Sequence, residues 1–277
     1  MNKIVAKEQF SENVFRFEIE APRIAKARRA GHFVIVRVDK NGERVPLTIA
    51  GSDIQKGTIT LVVQRIGVST YKLCDKNVGD SIEDVVGPLG RATKIEKQEG
   101  TVLAAGGGVG VAPLLPIIEA HHKIGNRVVA VLAGRTKDLI ILEDKGRAVA
   151  DDVIIMTDDG SYGTKGLVTA GMEEVINREK VSEAVIIGPA IMMKFGALTT
   201  KKYDIPTVVS LNTIMVDGTG MCGACRVSVG GKTRFVCVDG PEFDAHQVDF
   251  DQMLKRMGGF KGEELEAFNR YKAACGK

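Results

Sequence analysis

Hydrophobic and polar positions along the chain follow two rhythms in succession. Up to about residue 97, short β-branched runs recur over Val14 to Ile19, His32 to Val38, Pro46 to Ala50, Thr58 to Arg65 and Ser81 to Val86. The N-terminal stretch also alternates apolar and polar residues. Turn chemistry separates the runs at Asn41-Gly42, Lys56-Gly57 and Val78-Gly79-Asp80. Many short strands at close spacing predict a small antiparallel barrel.

From Thr101 the pattern changes to strands alternating with helices. Strands are expected at Thr101 to Ala105, Arg127 to Ala133, Val153 to Thr157, Ala184 to Ile187 and Thr207 to Leu211. Between them, helices are expected through His122, from about Asp138, over Leu167 to Arg178 and near Ile191 to Lys202. Such alternation predicts a parallel, doubly wound sheet. The polar segment Lys94 to Gly100 reads as a linker. After residue 212 the text becomes rich in glycine and cysteine, and a polar helix is expected over Glu263 to Ala274. The expected organisation is therefore a barrel over 1–97, an α/β domain over 98–211 and a small segment with a terminal helix over 212–277.

Length agrees with this division, since 277 residues exceed one domain of about 100–150. Apolar residues at 44% and charged residues at 26% are the mix of an ordinary globular chain. A net charge of +3 without a Lys/Arg block gives no reason to expect nucleic acid or an anionic membrane surface. The N-terminus lacks the apolar core of a secretory signal. The long apolar run from Thr101 to Ile118 is broken by glycines and prolines, as in a buried strand–turn–helix rather than a membrane span. Five cysteines, three of them between 222 and 237, suit a metal site in a reducing compartment better than a disulfide framework. A cytoplasmic location is expected.

The chemistry concentrates in a few turns. Residues 102–113, VLAAGGGVGVAP, end a strand in glycines and start a helix with Pro113 in its first turn. Glycines allow close backbone approach to a pyrophosphate, and the helix start offers unpaired N–H groups and partial positive charge. The strict GxGxxG frame is filled only approximately, by Ala105, Gly107 and Gly110, so a turn without a ligand stands beside the dinucleotide reading. Gly188-Pro189, leading towards Met192, ends a later strand on the same edge, and Asp158-Asp159-Gly160 closes the strand between them. These acids suit ribose hydroxyls or a carboxamide, or simply a solvated loop. Arg135, where an NAD reader carries an acid, would suit a 2′-phosphate or stack on adenine.

On the barrel side, Arg44-Val45-Pro46-Leu47-Thr48 enters a strand, and Gln64 to Thr70 ends another at a probable helix start rich in small and hydroxyl residues. Taken in order, these motifs resemble the ferredoxin–NADP reductase superfamily, whose members pair a flavin barrel with a nicotinamide-binding α/β domain. The resemblance implies FAD, with Arg44 near its phosphates, Leu47 beside the ring and Thr48 near N5, and Pro46 among the cofactor-binding residues. It implies a pyrophosphate loop at Gln64, Gly67, Val68, Ser69 and Thr70. Nicotinamide-side loops follow at Gly107, Gly108, Gly110, Val111, Ala112 and Pro113, and at Gly188, Pro189 and Met192. Leu47 stands where the family has an aromatic, and no C-terminal aromatic covers the flavin. Both departures point to the branch of dihydroorotate dehydrogenase electron-transfer subunits and of the small subunit of NADH-dependent reduced ferredoxin:NADP oxidoreductase.

Residues 217–237 read DGTGMCGACRVSVGGKTRFVC. A plant-type [2Fe–2S] site uses C-x4-C-x2-C with a distant fourth Cys. Here Cys222, Cys225 and Cys237 keep the frame and Asp217 takes its first position. A carboxylate preserves the charge of the missing thiolate, though oxygen binds iron less covalently. Zinc on the same ligands, a fourth thiol from Cys74 or Cys275, and no metal at all are the alternatives. An Asp at this place is implied by the small-subunit branch.

No histidine (His32, His121, His122, His246) or nucleophile forms an acid–base constellation. The expected function is therefore an oxidoreductase subunit that exchanges hydride between NAD(H), or NADP(H), and FAD. It would pass single electrons through the cluster to a larger flavo-iron–sulfur subunit in a heterodimer or higher assembly, with ferredoxin engaged indirectly. An electron-transfer subunit of dihydroorotate dehydrogenase, and a non-catalytic zinc-stabilised binding module, are the competing readings.

Overall fold

A computed structural model describes residues 2–275. The first rhythm becomes β1 (Asn2–Ser11), β2 (Val14–Glu20), α1 (Pro22–Ala27), β3 (Phe33–Arg37), β4 (Arg44–Asp53), β5 (Thr58–Gln64), α2 (Val68–Asp75), β6 (Ser81–Ile82) and β7 (Asp84–Leu89). The strands pair antiparallel in the order β6-β1-β2-β5-β4-β3-β7. Glu83 alone separates the two edge strands, so the sheet curls until its ends nearly meet, which makes it a barrel. That crossing also splits the single run expected over Ser81 to Val86, because the Glu83 amide leaves the ladder to donate to the Val38 carbonyl. Inward residues of alternate positions fill the interior, among them Ile4, Phe17, Ile19, Ile49, Ile59 and Leu61, all essentially inaccessible.

The second rhythm becomes β8 (Thr101–Gly107), α3 (Val111–Lys123), β9 (Val128–Gly134), α4 (Glu143–Val149), β10 (Asp152–Thr157), β11 (Thr164–Lys165), α5 (Val168–Arg178), β12 (Val181–Ile187), α6 (Ala190–Lys201) and β13 (Thr207–Ser210). Every residue of β8 is buried, as expected of a strand covered on both faces by helices. In α5 the buried positions Val168, Gly171, Met172 and Val175 fall at helical spacing and turn one stripe to the sheet. The helix expected from Asp138 begins later. A single 3-10 turn at Lys137–Leu139 comes first, and Leu142 at φ 59° redirects the chain into α4.

Beyond residue 211 lie a hairpin of β14 (Arg226–Val229) and β15 (Lys232–Phe235), then α7 (Val236–Asp239), β16 (Glu242–Asp244), α8 (Phe250–Met257) and α9 (Lys261–Ala274). The second sheet runs β11-β10-β9-β8-β12-β13-β16, all parallel except β16, which pairs antiparallel with β13. Cys-rich segment and α/β sheet are thus joined by a ladder. One apolar core spans all three parts: Phe33 and Ile35 of the barrel, Leu103 and Val129 of the sheet, and Cys225, Val227, Val236 and Cys237.

Candidate functional site

Strand order locates the first part of the site. β9 lies on one side of β8 and β12 on the other, so the winding reverses between β8 and β12. At such a switch point the two following loops diverge and leave a crevice at the carboxyl ends of the strands. The loops after β8 and β12 meet there at very short range. A Cβ on Gly110 would overlap the Ile187 carbonyl, and one on Gly107 would run into the Met192 sulfur. A Cβ on Gly188 would stand 2.7 Å from the Met192 methyl. Gly107, Gly110, Gly188 and Met192 therefore form one closely packed floor, with Pro189 as the residue before α6. Val111 and Ala112 are buried, so any ligand contact they make is through backbone; the start of α3, which includes Pro113, supplies the free amides.

One strand further out, the Asp158 amide donates to the Gly134 carbonyl and the Asp159 amide to that of Arg135. Arg135 is exposed and shares this rim with Asp158, Asp159 and Gly160. The Asp159 carboxylate accepts from the Ser161 hydroxyl and amide at 2.7 and 2.9 Å, which holds it below the usual carboxylate range.

The second part lies on the barrel. β4 places Thr48 opposite Phe33, Leu47 opposite Val34 and Pro46 opposite Ile35. Leu47 packs on the barrel core. After Gln64 ends β5, Gly67 in extended conformation caps α2. Thr70 Oγ1 accepts from the amides of Ile66 and Gly67, both at 3.0 Å, and donates to the Gly67 carbonyl. These bonds fix the loop and leave the first amides of α2, Val68 and Ser69, without a partner inside the helix. The Ser69 hydroxyl donates to Glu43 at 3.1 Å. Two guanidinium nitrogens nearby, Arg44 Nε and Arg65 Nε, are buried without a hydrogen-bond partner. The Arg65 guanidinium is otherwise engaged, ion-paired with Asp75 at the far end of α2 and set against the Tyr71 ring. A buried donor left unpaired is costly, and Arg44 Nε, next in sequence to the Glu43 that accepts from Ser69, fits an anionic ligand such as a dinucleotide phosphate at the helix start. Arg65 was not singled out from the sequence, although it lies inside the Gln64 to Thr70 stretch.

The third part is the loop from Asp217 to Cys237. Cys225 and Cys237 are buried with their sulfurs 3.2 Å apart. Burial, the Cys225 thiol and the Asp217 charge push the Cys237 thiol up to about 12. Backbone amides of Thr219, Cys222 and Met221 converge on the Asp217 carboxylate and hold it below its usual range. Gly218, Gly220 and Gly223 adopt φ of 77°, 86° and 66°, and so wrap the loop in a conformation side chains resist. Cys222 is exposed at its tip, and among the described residues no three His, Cys, Asp or Glu side chains converge on one point. The pair Cys225–Cys237 is thus assembled, while Asp217 and Cys222 face the loop and solvent. The donor set still fits a cation-rich centre: two sulfurs in van der Waals contact beside a carboxylate need positive charge between them before they can ionise. Cys74 belongs to the separate barrel core and Cys275 ends α9 beside Tyr271, so neither brings a thiol to this loop.

The three parts are adjacent. α3 packs on β4, and Val109 of the glycine turn shares a core with Val14 and Val62 of the barrel. On the other side of β4, β3 and β7 carry Ile35 and Leu89, which a Cβ on Gly218 would approach to 2.8 and 2.7 Å.

Comparison with known proteins follows this geometry. Residues 212–249 match the iron–sulfur cluster binding domain of dihydroorotate dehydrogenase B. A dihydroorotate dehydrogenase B (NAD(+)) electron transfer subunit homolog from Thermotoga maritima is 45% identical over 100% of this chain and 98% of its own length. The dihydroorotate dehydrogenase B (NAD(+)) electron transfer subunit of Desulforamulus reducens is 31% identical over 89% of this chain and 96% of its own. A chain of the NADH-dependent reduced ferredoxin–NADP oxidoreductase structure, solved in a study of flavin-based electron bifurcation, superposes with a TM-score of 0.93 at 45% identity over 98% of both chains. On this likeness of sequence and fold, the chain belongs to the family of dihydroorotate dehydrogenase B electron-transfer subunits and their homologues, built on the ferredoxin reductase-like fold.

Proposed function

We propose that this chain is the small, electron-transferring subunit of an NADH-dependent reduced ferredoxin:NADP oxidoreductase-type enzyme, working between NAD(H) and a larger flavo-iron–sulfur subunit. The observation that carries the reading is the position of β4, flanked by α3, the helix that follows the glycine turn, on one side and, through β3, by the Asp217 loop on the other. When bound, FAD supplies two-electron exchange with a nicotinamide and one-electron exchange with a [2Fe–2S] centre.

The residues divide the labour. Arg44, Gln64, Gly67, Val68, Ser69 and Thr70 hold the flavin's phosphates with the α2 amides, and Pro46, Leu47 and Thr48 hold its ring edge. Gly107, Gly108, Gly110, Val111, Ala112 and Pro113 cradle the nicotinamide pyrophosphate. Gly188, Pro189 and Met192 shape the nicotinamide end, and Arg135 with Asp158, Asp159 and Gly160 meets the adenosine. Asp217, Cys222, Cys225 and Cys237 hold the cluster. Asp217 at the first ligand position favours this enzyme type over a dihydroorotate dehydrogenase subunit, where the resemblance leads one to expect Cys. The larger subunit docks over the loop tip, where Met221 is 89% exposed and Val216 and Val238 add apolar surface.

Arg135 favours a second reading of the nucleotide. Its guanidinium stands exposed where a 2′-phosphate would arrive, as in an NADP(H) reader. The test is anaerobic reconstitution with FAD, iron and sulfide, followed by titration with NADH and NADPH. Bleaching of flavin and cluster absorption by NADH at lower concentration supports the proposal. Preference for NADPH overturns the nucleotide assignment, and bleaching by neither overturns the function.

A further inference from the structure

α9 is a helix without an obvious reason to be where it is. None of its residues is buried, and it carries no apolar stripe. It nevertheless leaves the Cys-rich segment through Gly258 and Gly259 and lies back across the barrel, on α2. Phe268 meets Tyr71 edge-on, with ring centroids 4.8 Å apart, and Tyr271 meets the same ring at 6.5 Å. The Arg65 guanidinium also lies over the Tyr71 ring, 4.3 Å from its centroid. Arg65 is also paired with Asp75, to which the Tyr271 hydroxyl donates at 3.4 Å. The contacts of Phe268 and Tyr271 with Tyr71 thus tie α9 to the helix whose first turn was read as the phosphate cradle.

Between the tie and that first turn a groove of about 220 Å³ stays open. Its lining includes Glu43, Val68, Ser69 and Lys72 of the barrel side and Ala267 and Arg270 of α9, with the Lys72 ammonium paired to Asp39 at 3.0 Å. Arg270 pairs only loosely, with Glu266 at 3.5 Å, so its guanidinium is available to a ligand. The volume is below that of a site enclosing a whole ligand, so the groove takes part of one. The groove adjoins the first turn of α2, since Val68 and Ser69 line it, so a dinucleotide whose phosphates sit at that turn would have its remaining half within reach of α9.

We infer that α9 is a clamp on the adenosine half of FAD, with Ala267 backing the adenine and Arg270 meeting the adenosine-side phosphate. The inference rests on the reading of the α2 start as the flavin phosphate cradle. It gives Arg270 and Ala267 binding roles, and Phe268 a positioning role, on an element outside both the barrel and the α/β sheet.

FMN, which lacks the adenosine half, separates this clamp from the rest of the site. Kd values for FAD and FMN would be measured by flavin fluorescence on the full chain and on two full-length variants, Arg270→Glu and Phe268→Asp. The first removes the phosphate contact and the second detaches α9 from Tyr71; both change exposed or half-exposed positions of a helix that buries nothing. The expected result is FAD binding weakened at least tenfold in each variant with FMN binding unchanged, so that the preference for FAD collapses. An unchanged FAD-to-FMN ratio in both variants overturns the clamp and leaves the cofactor reading standing. A wild-type chain that binds neither flavin overturns both.

Discussion

Glu242 is the acid whose protonation burial has moved furthest towards neutrality. It stands on β16, mostly enclosed between the α/β sheet and the Thr93 hydroxyl, which donates to it at 2.6 Å. Burial, with a smaller push from the Glu183 charge, raises its carboxyl to about 7. The folded chain therefore holds a proton that the unfolded chain releases near 4.5. Stability from this group is complete below about 4.5, falls as pH rises and is gone above about 7, a change of up to about 3 kcal/mol. Thermal melting followed from pH 5 to 8 should show Glu242→Gln losing much of the wild-type decline; parallel curves for the two proteins would contradict it. At the same scale, the Cys225–Cys237 pair makes a chemical prediction. Cys237→Ser, reconstituted anaerobically, should lose the cluster's visible absorption while keeping flavin, as read by iron, sulfide and flavin analysis. Iron and sulfide at wild-type levels would remove Cys237 from the ligand set.

At the scale of elements, the decisive contact is between two turns. Gly110 cannot carry a Cβ without displacing the backbone of Ile187 and Gly188, whereas the Gly107 position is blocked only by the flexible end of Met192. Backbone cannot yield as a thioether can. Gly110→Ala should therefore cost about 1–3 kcal/mol in denaturant unfolding and raise the KM for the nicotinamide nucleotide. Gly107→Ala should leave stability within about 1 kcal/mol of wild type while Met192 swings aside. Equal effects at the two positions would mean that the turns are not in contact. The same approach explains why the GxGxxG frame is only approximate here: the glycines answer to the neighbouring turn of β12 as well as to a ligand.

Across the whole molecule, the Asp217 loop, the barrel and the α/β sheet share one core, and Gly218 is where the loop meets the barrel. Its φ of 77° and the contacts a Cβ would make with Leu89 and Ile35 leave no room for a side chain. Gly218→Ala is expected to destabilise the chain by about 1–3 kcal/mol and to lower the melting temperature in a single transition. Two separated calorimetric transitions would show the loop to be an independent unit. Met221, three residues further on, is 89% exposed at the loop tip.

Much of this was readable in the residues. Period-two runs such as Val14–Glu20 and fully apolar ones such as Thr101–Gly107 specify their strands because alternation or its absence reports how many faces are covered. Glycine turns and the cysteine spacing located the candidate site by local backbone need and donor chemistry. Contacts between distant positions were not readable. The entry of β16 into the α/β sheet, the burial of Glu242, the closure of the barrel at Glu83, the pairing of Arg65 with Asp75 and the return of α9 onto Tyr71 all depend on residues brought together by folding. A sequence specifies which groups can form a strand, a turn or a ligand set, because those properties are local. Which of them share a space, and so which pKa moves or which groove opens, is decided only when the three cores close on one another.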